Sequence, residues 1–140
     1  MDKLFGSYSV SVDEKGRVVV PVEFRNEIST DVYLTGSGYI RASIKCENLS
    51  EGRFVCMYDE SSYKELYAIT RSSPKFSLFT SSIEKRTPDN QGRISIPKEL
   101  RVYAGITDKA TVVGVDDRIE IWDHDAFEEF KKNILDTNAQ

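Results

Sequence analysis

The chain writes Asp13-Glu14-Lys15-Gly16-Arg17-Val18-Val19-Val20-Pro21-Val22-Glu23-Phe24-Arg25 and later writes it again as Asp89-Asn90-Gln91-Gly92-Arg93-Ile94-Ser95-Ile96-Pro97-Lys98-Glu99-Leu100-Arg101. Six of the thirteen positions are identical: Asp13/Asp89, Gly16/Gly92, Arg17/Arg93, Pro21/Pro97, Glu23/Glu99 and Arg25/Arg101. Val18/Ile94, Val20/Ile96 and Phe24/Leu100 keep their apolar character. A repeat of this quality makes the molecule a two-part object, and each part is to be read against its copy.

Each copy reads as a turn feeding a strand and then a short helix. An aspartate bonds the backbone two residues on, and glycine supplies the positive φ that closes such a turn. Along the strand Val18 and Val20, like Ile94 and Ile96, face one side, while Arg17, Val19, Arg93 and Ser95 face the other. One side is therefore expected to be core and the other partly wet. Pro21 and Pro97 suit the first helical position, where a missing amide proton costs nothing, and Gly105 stands where a helix of about two turns would end.

A chain of 140 residues with 39% hydrophobic content is long enough for one packed domain. No apolar run approaches the roughly 20 residues a membrane span needs. The stretch Met1-Asp2-Lys3-Leu4-Phe5-Gly6 lacks the basic-then-apolar layout of a signal peptide, so a cytosolic protein is expected. In that compartment Cys46 and Cys56, which flank a polar turn, read as two half-buried free thiols before a disulfide or metal role. The lone His124 reads as a surface residue at a helix start. Net charge is −4, yet residues 71–101 carry 7 basic and 3 acidic side chains. A local positive field can hold phosphate on an acidic protein, because charges more than about 8–10 Å away are largely screened at physiological salt.

Read in order, Tyr8, Val10 and Val12 alternate with serines as a half-buried strand, and the run from Ser82 to Thr87 is its counterpart. Asp31 to Thr35, Tyr39 to Lys45, Arg53 to Tyr58, Ala110 to Val115 and Arg118 to Trp122 read as further strands, the last two joined at Asp116-Asp117. Met57 to Leu66 aligns with Ile121 to Phe130: a strand ends in an aromatic residue and Asp59 or Asp123 is placed to cap a helix. The first half is 12 residues longer between its proline and that aromatic, an insertion expected around Arg41 to Gly52. Residues 71–81 read as a linker with one short turn of structure, tied down by Phe76, Leu78 and Phe79, and Trp122 and Phe127 as core. The expected plan is one pseudo-symmetric domain over 1–140: repeat one about 5–70, repeat two about 82–132, and a tail over 133–140 that frays before Gln140. Neither half has enough strands to close a core alone, so the two should interleave into one small barrel-like sheet with helices outside.

The doubled Asp-x-x-Gly-Arg, each followed by an apolar strand and proline, is similar to the MraZ family of bacterial regulators. So are Ala104-Gly105-Ile106, Val112-Val113-Gly114 and Arg118-Ile119-Glu120-Ile121-Trp122-Asp123. The similarity covers about residues 5 to 132. It implies a mainly β, α+β protein of the AbrB-like swapped-hairpin or double-split β-barrel kind, formed by two internal repeats in one chain. It further implies sequence-specific binding of double-stranded promoter DNA at direct repeats upstream of the division and cell-wall operon. A ring-like homo-oligomer, octamer or dodecamer, and nucleoid association follow from the same resemblance. The family's turn aspartates and arginines map onto Asp13, Arg17, Asp89 and Arg93. The insertion near Cys46, Tyr58-Asp59 and the short linker from Tyr63 to Asp89 depart from the family pattern, and these bear on ring size.

Arg17 and Arg93 are suited both to a DNA groove or phosphate and to an ion pair with the aspartate of their own turn. Lys15 at the turn tip reads as a phosphate contact, and Lys85 and Arg86 either extend the basic face or form a solvated strand edge. Arg25 and Arg101 are expected to meet their own helix dipoles. Gly16, Pro21, Gly92 and Pro97 shape turn and helix start. One histidine, two cysteines on an apparent insertion, and no glycine-rich phosphate loop compose no catalytic constellation, and no metal or other cofactor is expected. An AbrB-type regulator of other genes and a ring-forming interaction scaffold without DNA binding are the alternatives.

Overall fold

The structure, a computed structural model, describes residues 3–28 and 30–138. Met1, Asp2, Ser29 and the last two residues, including the expected fraying before Gln140, lie outside those described. The elements are β1 (Ser7–Ser11), β2 (Arg17–Val19), α1 (Val22–Arg25), β3 (Val32–Gly36), α2 (Ser37–Ser43), β4 (Val55–Asp59) and α3 (Glu60–Thr70) in the first half. Then follow α4 (Phe76–Ser82), β5 (Glu84–Arg86), β6 (Arg93–Ser95), α5 (Lys98–Ala104), β7 (Lys109–Val115), β8 (Arg118–Asp123) and α6 (His124–Asn138). None of the described helices is long and apolar enough to cross a membrane.

Six strands make one antiparallel sheet in the order β1-β7-β8-β4-β3-β5. The strand that precedes each turn is given to the other half: β1 pairs with β7, Tyr8 opposite Val112, and β5 pairs with β3, Tyr33 opposite Lys85. The halves thus interleave, with the β8–β4 pair at the centre. The sheet nevertheless stays open. The turn strands form a separate two-stranded ribbon, β2 against β6, with Arg17 opposite Ser95, Val18 opposite Ile94 and Val19 opposite Arg93. Pro21 and Pro97 have no amide proton to extend the ladder, so each ribbon strand ends after three residues, and among the described residues only the isolated Val12–Val18 bridge links ribbon to sheet, without closing a barrel.

The sheet's two faces bury different cores. Val32, Leu34, Val55, Met57, Ala110, Val112, Ile119 and Ile121 point toward the ribbon and meet Val18, Val20, Ile94 and Ile96. On the opposite face Cys56, Tyr58 and Trp122 pack with Ile40, Phe54, Leu66 and Phe79 from the helical side. The expected alternation of the repeat strands holds, with Val18, Val20, Ile94 and Ile96 buried and Val19 and Ser95 exposed. Pro21 and Pro97 stand one position earlier than expected, as the residues capping α1 and α5. Gly105 closes α5 in the left-handed conformation at φ 68°. Asp59 and Asp123 cap as read, accepting from the Ser62 and Ala126 amides at 2.8 and 3.0 Å.

Three expectations change. Tyr39 to Lys45 is not a strand, since residues 37–43 form α2 and the insertion spans 37–54 between β3 and β4. Ile40 and Ile44 lie at helical spacing, and they reach the core of the helical face. Residues 76–82 form α4 across the expected end of the linker. Of its three apolar anchors Phe79 is buried and Phe76 half-buried, but Leu78 is exposed. Both cysteines are free, Cys56 wholly buried and Cys46 half-buried, and burial pushes the Cys56 thiol well above its ordinary range. His124 opens α6, and its Nδ1 lies 3.2 Å from both Ser9 Oγ and Thr111 Oγ1.

Candidate nucleic-acid interface

Asp13 and Asp89 organise their turns identically. The Asp13 carboxylate accepts from the Arg17 amide at 2.9 Å, the Lys15 amide at 3.0 Å and Arg17 Nε at 2.7 Å. Asp89 accepts from the Arg93 amide and the Gln91 amide, both at 2.9 Å, and from Arg93 Nε at 2.6 Å. These bonds, the Arg17 and Arg93 amides foremost, hold both carboxyls below the usual carboxylate range. Gly16 and Gly92, at φ 78° and 76°, donate back to the aspartate carbonyls at 2.9 and 3.0 Å, the backbone of a tight hairpin loop. The ion pair and the outward reach coexist, because Nε is spent on aspartate while the Arg17 and Arg93 side chains remain 29% and 31% exposed.

The ribbon register puts both arginines on one face. Residues opposite each other in an antiparallel pair share a side, so Arg17, Ser95, Val19 and Arg93 form a single outward patch above the buried Val18–Ile94 pair. Arg17 and Arg93 are diagonal neighbours in this register, roughly 7–8 Å apart. The turns leave the ribbon at opposite ends, since β2 and β6 run in opposite directions.

Comparison with known proteins completes the geometry. A protein of Paenarthrobacter aurescens named "Transcriptional regulator MraZ" is 32% identical over 133 residues, covering 89% of this chain and 84% of the relative. The chain belongs to the MraZ family. A Clavibacter michiganensis protein of the same name matches with the same identity and coverage. The family model described as "MraZ protein, putative antitoxin-like" matches residues 81–140. A solution structure from Pyrococcus horikoshii covers 81% of this chain and 92% of its own at 16% identity, with a TM-score of 0.37 too low to bear on the fold.

Within this MraZ-family chain the remaining candidates separate. Lys15 is exposed at the first tip. Arg86 sits three residues before Asp89 on the ribbon side of the sheet, bonded to Glu84 Oε2 at 3.3 Å and the Lys85 carbonyl at 2.8 Å. Lys85 alternates to the helical side, 3.2 Å from Asp31 and over the Tyr33 ring. It therefore does not share the arginine face.

Arg25 and Arg101 do something that reading one repeat at a time does not show. Neither serves its own helix end. Their Nε atoms donate to the Val20 and Ile96 carbonyls at 2.9 and 3.0 Å, and each guanidinium lies across the glycine of the other repeat's turn. A Cβ on Gly16 would stand 2.4 Å from Arg101 Nε, and one on Gly92 2.7 Å from Arg25 Nε. The Gly16 and Gly92 carbonyls also accept from the Ile96 and Val20 amides at 3.0 and 2.9 Å. Each turn is thus clamped by the opposite repeat, which fixes the two arginine platforms relative to each other. Gly16→Ala is expected to cost about 1–3 kcal/mol, from left-handed strain and displacement of Arg101. In urea melts of G16A, R101A and the double variant the effects should be less than additive. Full additivity would show that the guanidinium is not in the way.

Proposed function

We propose that this chain is a transcriptional regulator that binds double-stranded DNA in a sequence-specific manner through the outward face of the β2–β6 ribbon. The observation that carries the proposal is the pairing of two Asp–Arg turns, built alike and locked to each other, whose arginines emerge on one face. Arginine presents several donors in a planar fork, suited to a guanine edge or a phosphate, and the aspartate fixes its direction. The names of the Paenarthrobacter and Clavibacter relatives support the regulatory role. The finer reading is that the targets are direct repeats in promoter DNA upstream of the division and cell-wall operon, met by a ring-like homo-oligomer at the nucleoid. Several copies on neighbouring repeats would multiply a weak single-site affinity by roughly 10²–10⁴.

A fluorescence titration of labelled duplexes tests this. If Lys15, Arg17, Arg86 and Arg93 each neutralise one phosphate, log affinity should fall with log salt at a slope of about −3.6 per bound chain. A purified protein that binds neither promoter-derived nor random duplex at low salt would overturn the proposal. It would leave the interaction-scaffold reading, which the net charge of −4 favours.

A further inference from the structure

The two turns share one backbone design but carry different tips. Asp13 and Asp89 bind their amides and arginines in the same way, and both glycines close the loop at nearly the same φ. Any difference in their roles must therefore come from the two central residues, Glu14-Lys15 in one turn and Asn90-Gln91 in the other, all four exposed. In the second turn Asp89 already satisfies the Gln91 and Arg93 amides. Among the described residues no hydrogen bond occupies the side-chain amides of Asn90 or Gln91.

Resting on the DNA-binding reading above, we propose that the second turn is the base-reading half of the domain, with Asn90 and Gln91 as specificity-determining residues, and the first turn an anchoring half that contacts backbone phosphate through Lys15. A carboxamide offers two donors and an acceptor in one plane, the arrangement that matches adenine N6 and N7 in the major groove. It carries no charge to be repelled or neutralised, so it gains little from phosphate. The first tip has the opposite character. Lys15 is a point charge suited to phosphate. Glu14 beside it penalises deep entry between two phosphate-lined walls and can accept only from a base amino group such as cytosine N4. The ribbon continues the inequality, since its outer face places Ser95 beside Arg17 and Val19 beside Arg93. A chain with two such ends has a direction on DNA that a symmetric dimer lacks.

Selection from a randomised duplex pool, sequenced after binding, tests the division on the full chain. Relative to wild type, N90A/Q91A should lose roughly 5–150-fold of base preference at a contiguous group of positions while its affinity for random duplex is unchanged. K15A should keep the base profile, weaken all sequences together and reduce the salt slope by about 1. E14N/K15Q, which gives the first turn the second turn's tip, should add preference at new positions. An unaltered profile for N90A/Q91A, or the same lost positions for K15A, overturns the inference while duplex binding stands. Equal binding of all sequences by wild type also overturns it. No binding of any duplex by wild type instead removes the regulator reading itself, and this inference with it.

Discussion

Removing both guanidiniums, Arg17→Ala with Arg93→Ala, is expected to weaken binding to a direct-repeat promoter duplex by roughly 30-fold to 10⁴-fold, with the far-ultraviolet spectrum and the oligomeric state unchanged. Each arginine, on a base edge or in a charge-assisted bond to phosphate, contributes about 1–3 kcal/mol. In the proposed ring-like homo-oligomer the loss would move toward the upper end, because the weakening would recur at every engaged chain. The fold should survive, since both side chains are about 30% exposed and pair with partly exposed aspartates. Water screens such pairs, so they contribute little to the stability of the fold. Asp13 and Asp89 would still accept the backbone amides of their turns. The single variants should each show a loss, but unequal ones if the turns divide their roles. Retention of the band shift by the double variant at matched salt would remove these arginines from the interface.

The turn-strand-proline unit was readable because its logic is local: aspartate, glycine and alternating valines act within ten residues, and the second copy repeats the statement. Tertiary partners were harder to read. Arg25 looks like a helix-end cation until the ribbon is assembled, and only then does its guanidinium lie across Gly92, 67 positions further along the chain. Tyr39 to Lys45 satisfies strand alternation and helical spacing equally, and Ile40 and Ile44 settle the matter only once the helical-side core exists to receive them. The exchange of β1 and β5 between halves follows from the shortage of strands in each repeat, whereas the open edge of the sheet depends on how soon proline ends the ribbon. For the candidate site, Asp13, Arg17, Asp89 and Arg93 come together as paired platforms. Lys85 lies across the sheet from them, because one residue of register decides the face a side chain takes.

Arg118→Ala is expected to be the most destabilising charge removal in the chain, at about 3–5 kcal/mol, because it abandons a carboxylate in the core. Arg118 and Glu120 side chains are only 2% and 4% exposed and meet at 2.8 Å. The same carboxylate accepts from Trp122 Nε1 at 3.0 Å, and Arg118 reaches 70 residues back to the Asn48 side chain and carbonyl at 3.0 and 2.8 Å. This network holds the 37–54 insertion against the second repeat's hairpin, on the sheet face away from the ribbon. Loss of the guanidinium leaves Glu120 buried beside the indole and frees the Asn48 loop, so the urea midpoint should fall by roughly 1–5 M at ordinary denaturant slopes. Arg118→Met combined with Glu120→Leu should recover most of the stability, since an apolar pair of similar volume avoids stranding either charge. Duplex affinity measured below the unfolding transition should stay at the wild-type level in that double variant, as no residue of the network touches the arginine face. A loss under 1 kcal/mol for Arg118→Ala would mean that water or a rearranged loop reaches Glu120. The insertion would then be held by α2 and its aromatic contacts instead, among them the Gly38 amide donating to the Tyr103 hydroxyl, 2.7 Å away.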